Sequence, residues 1–145
     1  MLKKDVDSDW RELVEYRNDN EKTLTKFVDL LQKAAYSEVK KILADDLVAY
    51  VTNSKGGVDE IKGREAYMQR IYAMDLASAE IQMNIMQIVT VAPNQVLMMV
   101  EVHAEKAGRK LLNHAAHLVK FNNNQIQEMW MVEALPAYSD EFWLK

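Results

Sequence analysis

The stretch Gln95–Glu133, QVLMMVEVHAEKAGRKLLNHAAHLVKFNNNQIQEMWMVE, is the part of the sequence that decides the predicted fold. Apolar and polar side chains alternate over most of it with a period of two, which is typical of β-strands with one buried face. Ala107-Gly108 and Asn122-Asn123-Asn124 interrupt the alternation, and both have the composition of tight turns. The stretch therefore predicts three antiparallel strands: Gln95–Lys106, Arg109–Phe121 and Gln125–Glu133.

Upstream of this stretch, a fourth strand is predicted over Glu80–Val91, joined to the next by a turn at Pro93-Asn94. The first half of the chain has a helical period instead. It predicts a helix over Glu21–Ala34, a short helix from Tyr36 to about Asp46, a strand at LVAYVT and a third helix after Gly63. Helices followed by an antiparallel meander indicate an α+β fold, with the helices packed on one face of the sheet.

Two-residue hairpin loops would fix which side chains share a face of the sheet. Under that assumption, Met98 lies opposite His117, His117 lies opposite Trp130, and Gln87 lies opposite Val100. The face that carries these residues is apolar apart from a few polar groups. We therefore expect the helices to cover it.

The opposite face is mixed, and it is more apolar than a free surface needs. Its apolar members are Leu97, Met99, Leu112, Ala116, Leu118, Met129 and Met131. An exposed patch of this size predicts a homodimer formed through the convex face of the sheet. On the same face His114 is expected between Glu101 and Glu133, as a solvated or interfacial charge cluster; a His/Glu metal site is the alternative, and we predict no metal.

Composition restricts the class of protein. The 145 residues are 49% hydrophobic and 28% charged, which is typical of one globular domain. The net charge of −4, with no basic stripe, argues against nucleic acid as a partner. The absence of cysteine excludes disulfides and thiolate metal sites, and no apolar run suits a signal peptide or a membrane span. We expect a cytoplasmic protein in which residues 1–20 form an extension with a short helix and residues 21–145 form a single domain.

The glycines of the first half suggest a phosphate-binding loop, but their spacing argues against one. Gly56-Gly57 lies six residues before Gly63, and neither a Lys-Ser/Thr pair nor a G-x-G-x-x-G pattern follows. Asp59 and Glu60, which lie between the glycines, would repel phosphate. We interpret the glycines as a turn followed by a helix start.

The stretch ILADDLVAYVTNSKGGVDEIKGREAYMQRI, residues 42–71, ends at that helix start. Together with HLVKFNNNQIQEMWMVEALPAYSDEFW, residues 117–143, it resembles the NTF2-like superfamily, in particular its SnoaL-like branch. The resemblance implies a cone-shaped roll, in which three to four helices pack on the concave face of a curved, mainly antiparallel sheet. It also implies a pocket in that face, which members use as isomerases, cyclases, dehydratases, epoxide hydrolases or binding proteins.

The residues that carry these activities in the superfamily are largely missing here. The acid on the penultimate strand of steroid isomerases corresponds to His117, their helix tyrosine falls near Phe27, and their base falls near Val51 or Thr52. The Arg-x-Asp of limonene-epoxide hydrolases corresponds to Glu101-Val-His103. The pocket aspartate of SnoaL-like cyclases has no counterpart on the predicted inner face. Whether the protein is an enzyme therefore stays open.

The predicted pocket has His117 and Trp130 as its floor. Asn113, Met98 and Gln87 flank this pair, and Tyr50, Phe27 and Tyr67 close the pocket from the first strand and the helices. His117 is the candidate catalytic residue, because a neutral imidazole can donate, accept or carry a proton near pH 7. The alternative is a core histidine bonded to the backbone or to Asn113.

The sequence favours a protein that binds an apolar small molecule and needs no cofactor. An isomerase, cyclase or hydrolase activity on that molecule is compatible with this hypothesis. The alternative is a non-catalytic dimerisation or protein-interaction module. A cavity of several hundred cubic ångströms with convergent polar groups would favour the first hypothesis, and a collapsed core the second. The C-terminal ALPAYSDEFWLK is expected to fold back onto the domain, with a helical turn from Ser139-Asp140.

Overall fold

The computed structural model describes residues 19–144. Over this range the chain forms helices and strands in the order α1, α2, β1, β2, α3, β3, β4, β5, β6 and α4. Their bounds are 19–32 (α1), Tyr36–Ile42 (α2), Leu43–Thr52 (β1), Val58–Lys62 (β2), Arg64–Met74 (α3), Glu80–Ala92 (β3), Gln95–Lys106 (β4), Arg109–Asn122 (β5), Gln125–Glu133 (β6) and Pro136–Leu144 (α4). A short 3₁₀ turn, Leu76–Ser78, follows α3. The helix predicted within residues 1–20 lies almost wholly outside the described residues.

The six described strands form one curved, open sheet in the order β2-β1-β6-β5-β4-β3. β1 and β6 are parallel, and every other neighbouring pair is antiparallel. This is the predicted α+β fold. β4 and β6 have the predicted bounds, and β3 and β5 are each one residue longer.

Two segments of the first half differ from the prediction. The helix predicted to reach Asp46 ends at Ile42, and Leu43 already belongs to β1, where it pairs with Ile126 of β6. β2 was not predicted as a strand, although Val58–Lys62 pairs with the second half of β1. In both segments pairing to a neighbouring strand decides the structure, and this pairing is a long-range effect that local periodicity does not report.

The hairpin between β4 and β5 has the predicted register. Ala107 and Gly108 form its two-residue loop with φ angles of 52° and 76°, as a type I′ turn requires. Met98 lies opposite His117, and Glu101 lies opposite His114. The predicted sharing of faces by these two strands is therefore confirmed.

The hairpin between β5 and β6 also has its predicted loop, but a β-bulge changes the register beyond it. Phe121 lies opposite Ile126 as predicted, whereas Lys120 lies opposite Glu128. Gln127 is the extra residue, and every later side chain of β6 moves to the other face. The predicted pairing of His117 with Trp130 is therefore wrong, since His117 lies opposite Met131.

The β3–β4 hairpin contains two further bulges, at Met86 and Val91. The bulge at Val91 lies between the turn and the next residues of β3, and it shifts the register so that Gln87 lies opposite Met99 and Ile88 lies opposite Met98. The predicted pairing of Gln87 with Val100 is wrong for this reason. Gln87 shares the convex face with Met99.

The core lies between the concave face and helices α1 and α3. The inward residues of α1 have the predicted i, i+3, i+4, i+7 spacing; they are Leu24, Phe27, Val28 and Leu31. Burying each such side chain contributes roughly 1.5–3 kcal/mol. Those of α3 are Tyr67, Met68 and Ile71.

The C-terminal segment folds back as predicted and forms α4, which begins at Pro136 and not at the predicted Ser139-Asp140. Phe142 and Trp143 are buried, and their rings meet edge to face at 4.8 Å. The Arg109 guanidinium lies over the Phe142 ring and donates hydrogen bonds to the carbonyl oxygens of Glu141 and Phe142, at 3.2 and 3.3 Å. These contacts hold α4 across one end of the concave face.

Candidate functional site

A cavity of about 110 Å³ lies between the concave face and helices α1, α3 and α4. Most of its wall is apolar. The apolar side chains that line it include Phe27, Val28, Leu31, Ile71, Met74, Leu76, Ile81, Met83, Met98, Val102, Leu111, Met131 and Trp143. The polar ones are Tyr67, Arg70, Asn113, His117, Glu133, Ser139 and Asp140.

Glu133 is the carboxylate that the sheet itself presents to this cavity. It is the last residue of β6, and the bulge at Gln127 turns it to the concave face, opposite Ala115. Its side chain is 9% exposed and accepts a hydrogen bond at Oε2 from Asn113 Nδ2, at 3.2 Å. Its backbone N–H donates to Thr52 Oγ1 at 3.0 Å, which joins the end of β6 to β1.

The surroundings of Glu133 favour its protonated form. Burial is the largest influence and raises the pKa of the carboxyl. The nearby Asp140 carboxylate raises the pKa further. A hydrogen bond with Ser139 and the charge of the Arg70 guanidinium both lower it, but each by less than burial raises it. A carboxyl with a raised pKa can exchange a proton near neutral pH more readily than an ordinary glutamate.

Asn113 orients Glu133 and is itself fixed by the backbone. Its Oδ1 accepts hydrogen bonds from the N–H groups of Leu135 and His114, at 3.1 and 2.9 Å. Its Nδ2 donates to the Leu135 carbonyl at 3.3 Å as well as to Glu133. Since every bond to the backbone specifies the amide orientation, Asn113 holds one oxygen of Glu133 in a defined position.

The loop between β1 and β2 meets α3 and α4 beside this cavity. Arg70 of α3 donates to Asp59 Oδ2 at 3.1 Å, and Asn53 donates to Asp59 Oδ1 at 3.0 Å. Both hydrogen bonds lower the pKa of Asp59, and the bond from Asn53 has the larger effect. The backbone N–H of Ser54 donates to Asp140 Oδ2 at 3.1 Å, so the loop and α4 are linked directly.

His117 lies deeper, in the middle of β5. Its side chain is 5% exposed, and its Nδ1 has no hydrogen-bond partner among residues 19–144. Burial lowers the pKa of the imidazole to about 4, so the ring is uncharged near pH 7. Asn113, the partner proposed for a core histidine, makes its hydrogen bonds with Glu133 and the backbone instead.

Tyr67 reaches the same cavity from α3. The side chain is buried, and its hydroxyl donates a long hydrogen bond, 3.8 Å, to Met129 Sδ. Thioether sulfur is a weak acceptor, so most of the hydrogen-bonding capacity of this hydroxyl is unused. Burial raises the pKa of Tyr67 well above its usual range, which keeps the group protonated.

The structure brings five of the eight predicted site residues to the cavity wall: Phe27, Tyr67, Met98, Asn113 and His117. It places the other three elsewhere. Gln87 and Trp130 lie on the convex face because of the bulges. Tyr50 also lies there and stacks on Trp130, with ring centroids 4.1 Å apart and planes inclined by 17°.

Glu133 was missed because the register prediction put it on the convex face. One signal in the sequence could have corrected this. Lys120 and Glu128 lie directly opposite each other and form a 3.1 Å ion pair, a cross-strand pairing of opposite charges that the unshifted register does not allow.

The convex charge cluster contains His103, His114 and Glu101. Glu133, which was expected beside His114, lies on the concave face instead. Glu101 is within ion-pairing distance of the Nε2 atoms of both histidines, 3.4 Å in the case of His114. The hydrogen bond from His103 is the largest influence that lowers the pKa of Glu101. Among the described residues no group of three or more His, Asp or Glu side chains has the arrangement of a metal site.

A ligand site was expected to have convergent polar groups and a volume of several hundred cubic ångströms, and the cavity meets only the first of these two criteria. Its polar groups converge, but its volume of about 110 Å³ is smaller than the several hundred expected. An engineered apolar cavity of roughly 150 Å³ can bind benzene. The enclosed space here therefore suits a molecule, or part of one, about the size of a single ring.

None of the helices within residues 19–144 is long and apolar enough to cross a membrane.

The family model of the SnoaL-like domain matches residues 24–129. This range spans most of the chain, from the first turns of α1 to the middle of β6. The protein therefore belongs to the SnoaL-like domain family. No curated protein sequence matches that of this chain.

Solved structures with this fold have low sequence identity to the chain. An M. tuberculosis LEH-like epoxide hydrolase has a TM-score of 0.71 at 16% identity, over 88% of this chain and 91% of that one. Bal32a from a soil-derived mobile gene cassette has a TM-score of 0.73 at 15% identity, over 87% and 97%. An NTF2-like protein of unknown function from Cytophaga hutchinsonii has a TM-score of 0.60 at 14% identity, over 80% and 90%. These similarities establish the NTF2-like fold.

Proposed function

We propose that the chain binds a small, mainly apolar molecule in the concave cavity and exchanges a proton with it, or with a water beside it, through Glu133. The observation that carries this proposal is a buried carboxylate with a raised pKa, held by Asn113 at the edge of an apolar cavity. Such a group is suited to general acid–base catalysis. The epoxide hydrolase among the similar structures is consistent with chemistry of this class.

Glu133 is a better candidate for the proton-transferring group than His117. An imidazole with a pKa of about 4 is a weak base, and near pH 7 it carries no proton that it can readily release. His117 remains part of the proposed site as a hydrogen-bonding group. Four of the polar residues of the cavity therefore have a proposed role: Glu133 in proton transfer, Asn113 in orientation, and His117 and Tyr67 in ligand contact.

The test is proton exchange at carbon in a compact ketone. Cyclohexanone is incubated with the protein in D₂O, and the loss of its α-hydrogen signals is followed by ¹H NMR. The wild type should accelerate exchange, and Glu133→Gln should lower the protein-dependent rate by roughly 10²-fold or more, the usual contribution of a general base. Glu128→Gln, which changes another glutamate of β6 that is bound to Lys120, is the matched control and should exchange at the wild-type rate.

Two results would contradict the proposal. The first is a ketone that binds in the cavity, as judged by chemical-shift changes of Met98 and Met131, without any protein-dependent exchange. The second is an equal rate in wild type and Glu133→Gln.

We also propose that the protein forms a homodimer through the convex face. A continuous row of side chains crosses five strands there: Tyr50, Trp130, Leu118, Leu97 and Val89 are neighbours in the sheet. Next to this row, Met99 and Val132 are about half exposed. Such a patch is larger than isolated exposed apolar residues, and a second copy would remove it from water.

Sedimentation and light scattering test the dimer. The wild type should be dimeric at micromolar concentration, and Trp130→Ala should weaken association by roughly 30-fold, as expected for an aromatic residue near the centre of an interface. Leu144→Ala, which changes an exposed apolar residue of α4, is the control. A wild-type monomer at micromolar concentration would defeat the proposal.

A further inference from the structure

His117 and Tyr67 are two polar groups that proton transfer by Glu133 does not require. Both are at least nine-tenths buried and line the cavity. Nδ1 of His117 has no partner among the described residues, and the Tyr67 hydroxyl has only the sulfur of Met129. Burying polar groups with so few hydrogen bonds is unfavourable, and proteins tolerate it mainly where function uses the group.

The fold brings the two groups to the same part of the cavity. Met129 and Met131 are successive inward residues of β6, and Met131 lies opposite His117. The Tyr67 hydroxyl contacts Met129 from the helical side. An imidazole from the sheet and a hydroxyl from α3 therefore approach one region from two directions.

We infer that Tyr67 and His117 together bind an oxygen atom of the ligand, so that the ligand is a compact, neutral carbonyl or hydroxy compound. This inference rests on the proposed function, because it concerns the same cavity. Glu133 lies diagonally across from His117 in the sheet, and such neighbours have Cα atoms roughly 7–8 Å apart. That spacing leaves room for a ligand whose oxygen lies a few bonds from the atom that exchanges the proton.

The charges around the cavity agree with a neutral ligand. Burial keeps the Tyr67 hydroxyl protonated and the His117 imidazole uncharged near pH 7. The Asp140 carboxylate of the wall would repel a ligand carboxylate, burial disfavours a further charge beside Glu133, and Arg70 is already paired with Asp59. A carbonyl or hydroxyl oxygen can accept from Tyr67 without bringing a charge into this apolar space.

The experiment compares phenol with toluene, two single-ring molecules that differ by a hydroxyl and a methyl group. Dissociation constants are measured by NMR titration of the wild type and of Tyr67→Phe. Phenol should bind the wild type about tenfold more tightly than toluene, the value of one well-formed hydrogen bond. Tyr67→Phe should remove that preference and leave toluene affinity unchanged. Tyr36→Phe, whose ring packs against Tyr72 on the α2–α3 side, is the control and should retain the preference.

His117→Leu is the second variant, and it should lower phenol affinity while toluene affinity stays the same or rises. Equal binding of phenol and toluene by the wild type, or an unchanged preference in Tyr67→Phe, would overturn the inference and leave the cavity as a ligand site. Failure of both probes to bind would overturn the proposed function as well. Glu133→Gln should keep the phenol preference while losing ketone exchange; if it loses the preference, Glu133 and not Tyr67 holds the hydroxyl.

Discussion

The two faces of the sheet place the same residue types in opposite environments, buried on the concave face and exposed on the convex face. His117 and His114 lie three residues apart on β5, yet the first is buried with no partner for Nδ1 within residues 19–144, and the second is exposed beside Glu101. Met98 and Met99 are consecutive on β4 and are 1% and 47% exposed. The difference shows that the chemistry of a side chain here depends on strand register more than on residue type. Matched substitutions on the two faces can therefore test the structure.

The largest difference in stability between matched variants of the two faces is expected for the methionines. Met98→Ala should destabilise the fold by about 2–5 kcal/mol, because it removes a fully buried side chain next to an existing cavity. Met99→Ala should change the stability of the monomer by less than about 0.5 kcal/mol. Urea unfolding followed by tryptophan fluorescence measures both. Similar costs for the two variants would mean that the register of β4 is wrong.

The histidines of the two faces are expected to differ in how they affect the pH dependence of folding stability. Since folding lowers the pKa of His117 from 6.5 to about 4, the unfolded chain binds an extra proton between these values. The stability that depends on neutral His117 is therefore complete above pH 6.5 and is lost as the pH falls to 4, by about 3 kcal/mol in total. His117→Leu should lack this loss, whereas His114→Leu should retain it.

At pH 7 the same variant distinguishes a ligand group from a core group. His117→Leu should be at least as stable as the parent, because Nδ1 has no described partner to be left unsatisfied. A destabilisation of about 1–3 kcal/mol would instead indicate that a bonded partner had been stranded. Denaturant unfolding at pH 7 and at pH 4 provides both measurements on one set of samples.

The asparagines give the smallest expected difference. Asn113→Ala should cost about 1–3 kcal/mol, because it removes the buried hydrogen bond to Glu133 and the part-buried bonds to backbone groups of Leu135 and His114. Asn84→Ala on the convex face removes hydrogen bonds with Gln82 and Glu101 near the protein surface and should cost only about 0.5 kcal/mol. Thermal unfolding can rank the two variants. If Asn84→Ala proves the more damaging, the convex face is more tightly packed than its exposure indicates.

The fold was predictable because its strands and turns have strong local signals. The alternation within Gln95–Glu133 and the turn residues between its strands gave the correct strands and the correct β4–β5 register. β2 and the start of β1 could not be predicted in the same way. Their structure depends on pairing with strands that are distant in sequence, such as that of Leu43 with Ile126.

The site was less predictable, and the bulges explain why. A bulge adds one residue without a clear signal in the sequence, and it moves all later side chains of the strand to the other face. In β6 both faces are apolar, Met129 and Met131 on one and Trp130 and Val132 on the other, so hydrophobic alternation could not reveal the shift. The same shift concealed Glu133, the residue on which the proposed chemistry depends.

The bulges of β3 have a further consequence, for the behaviour of the molecule in a crowded solution. β3 is a long strand at the edge of the sheet, and a flat edge of this kind can pair with the edge of another molecule and start aggregation. Met86 and Val91, the two bulged residues, break its ladder at two points and are the most exposed apolar side chains of the strand. The irregularities that obscure the register thus interrupt the surface on which an intermolecular sheet would grow.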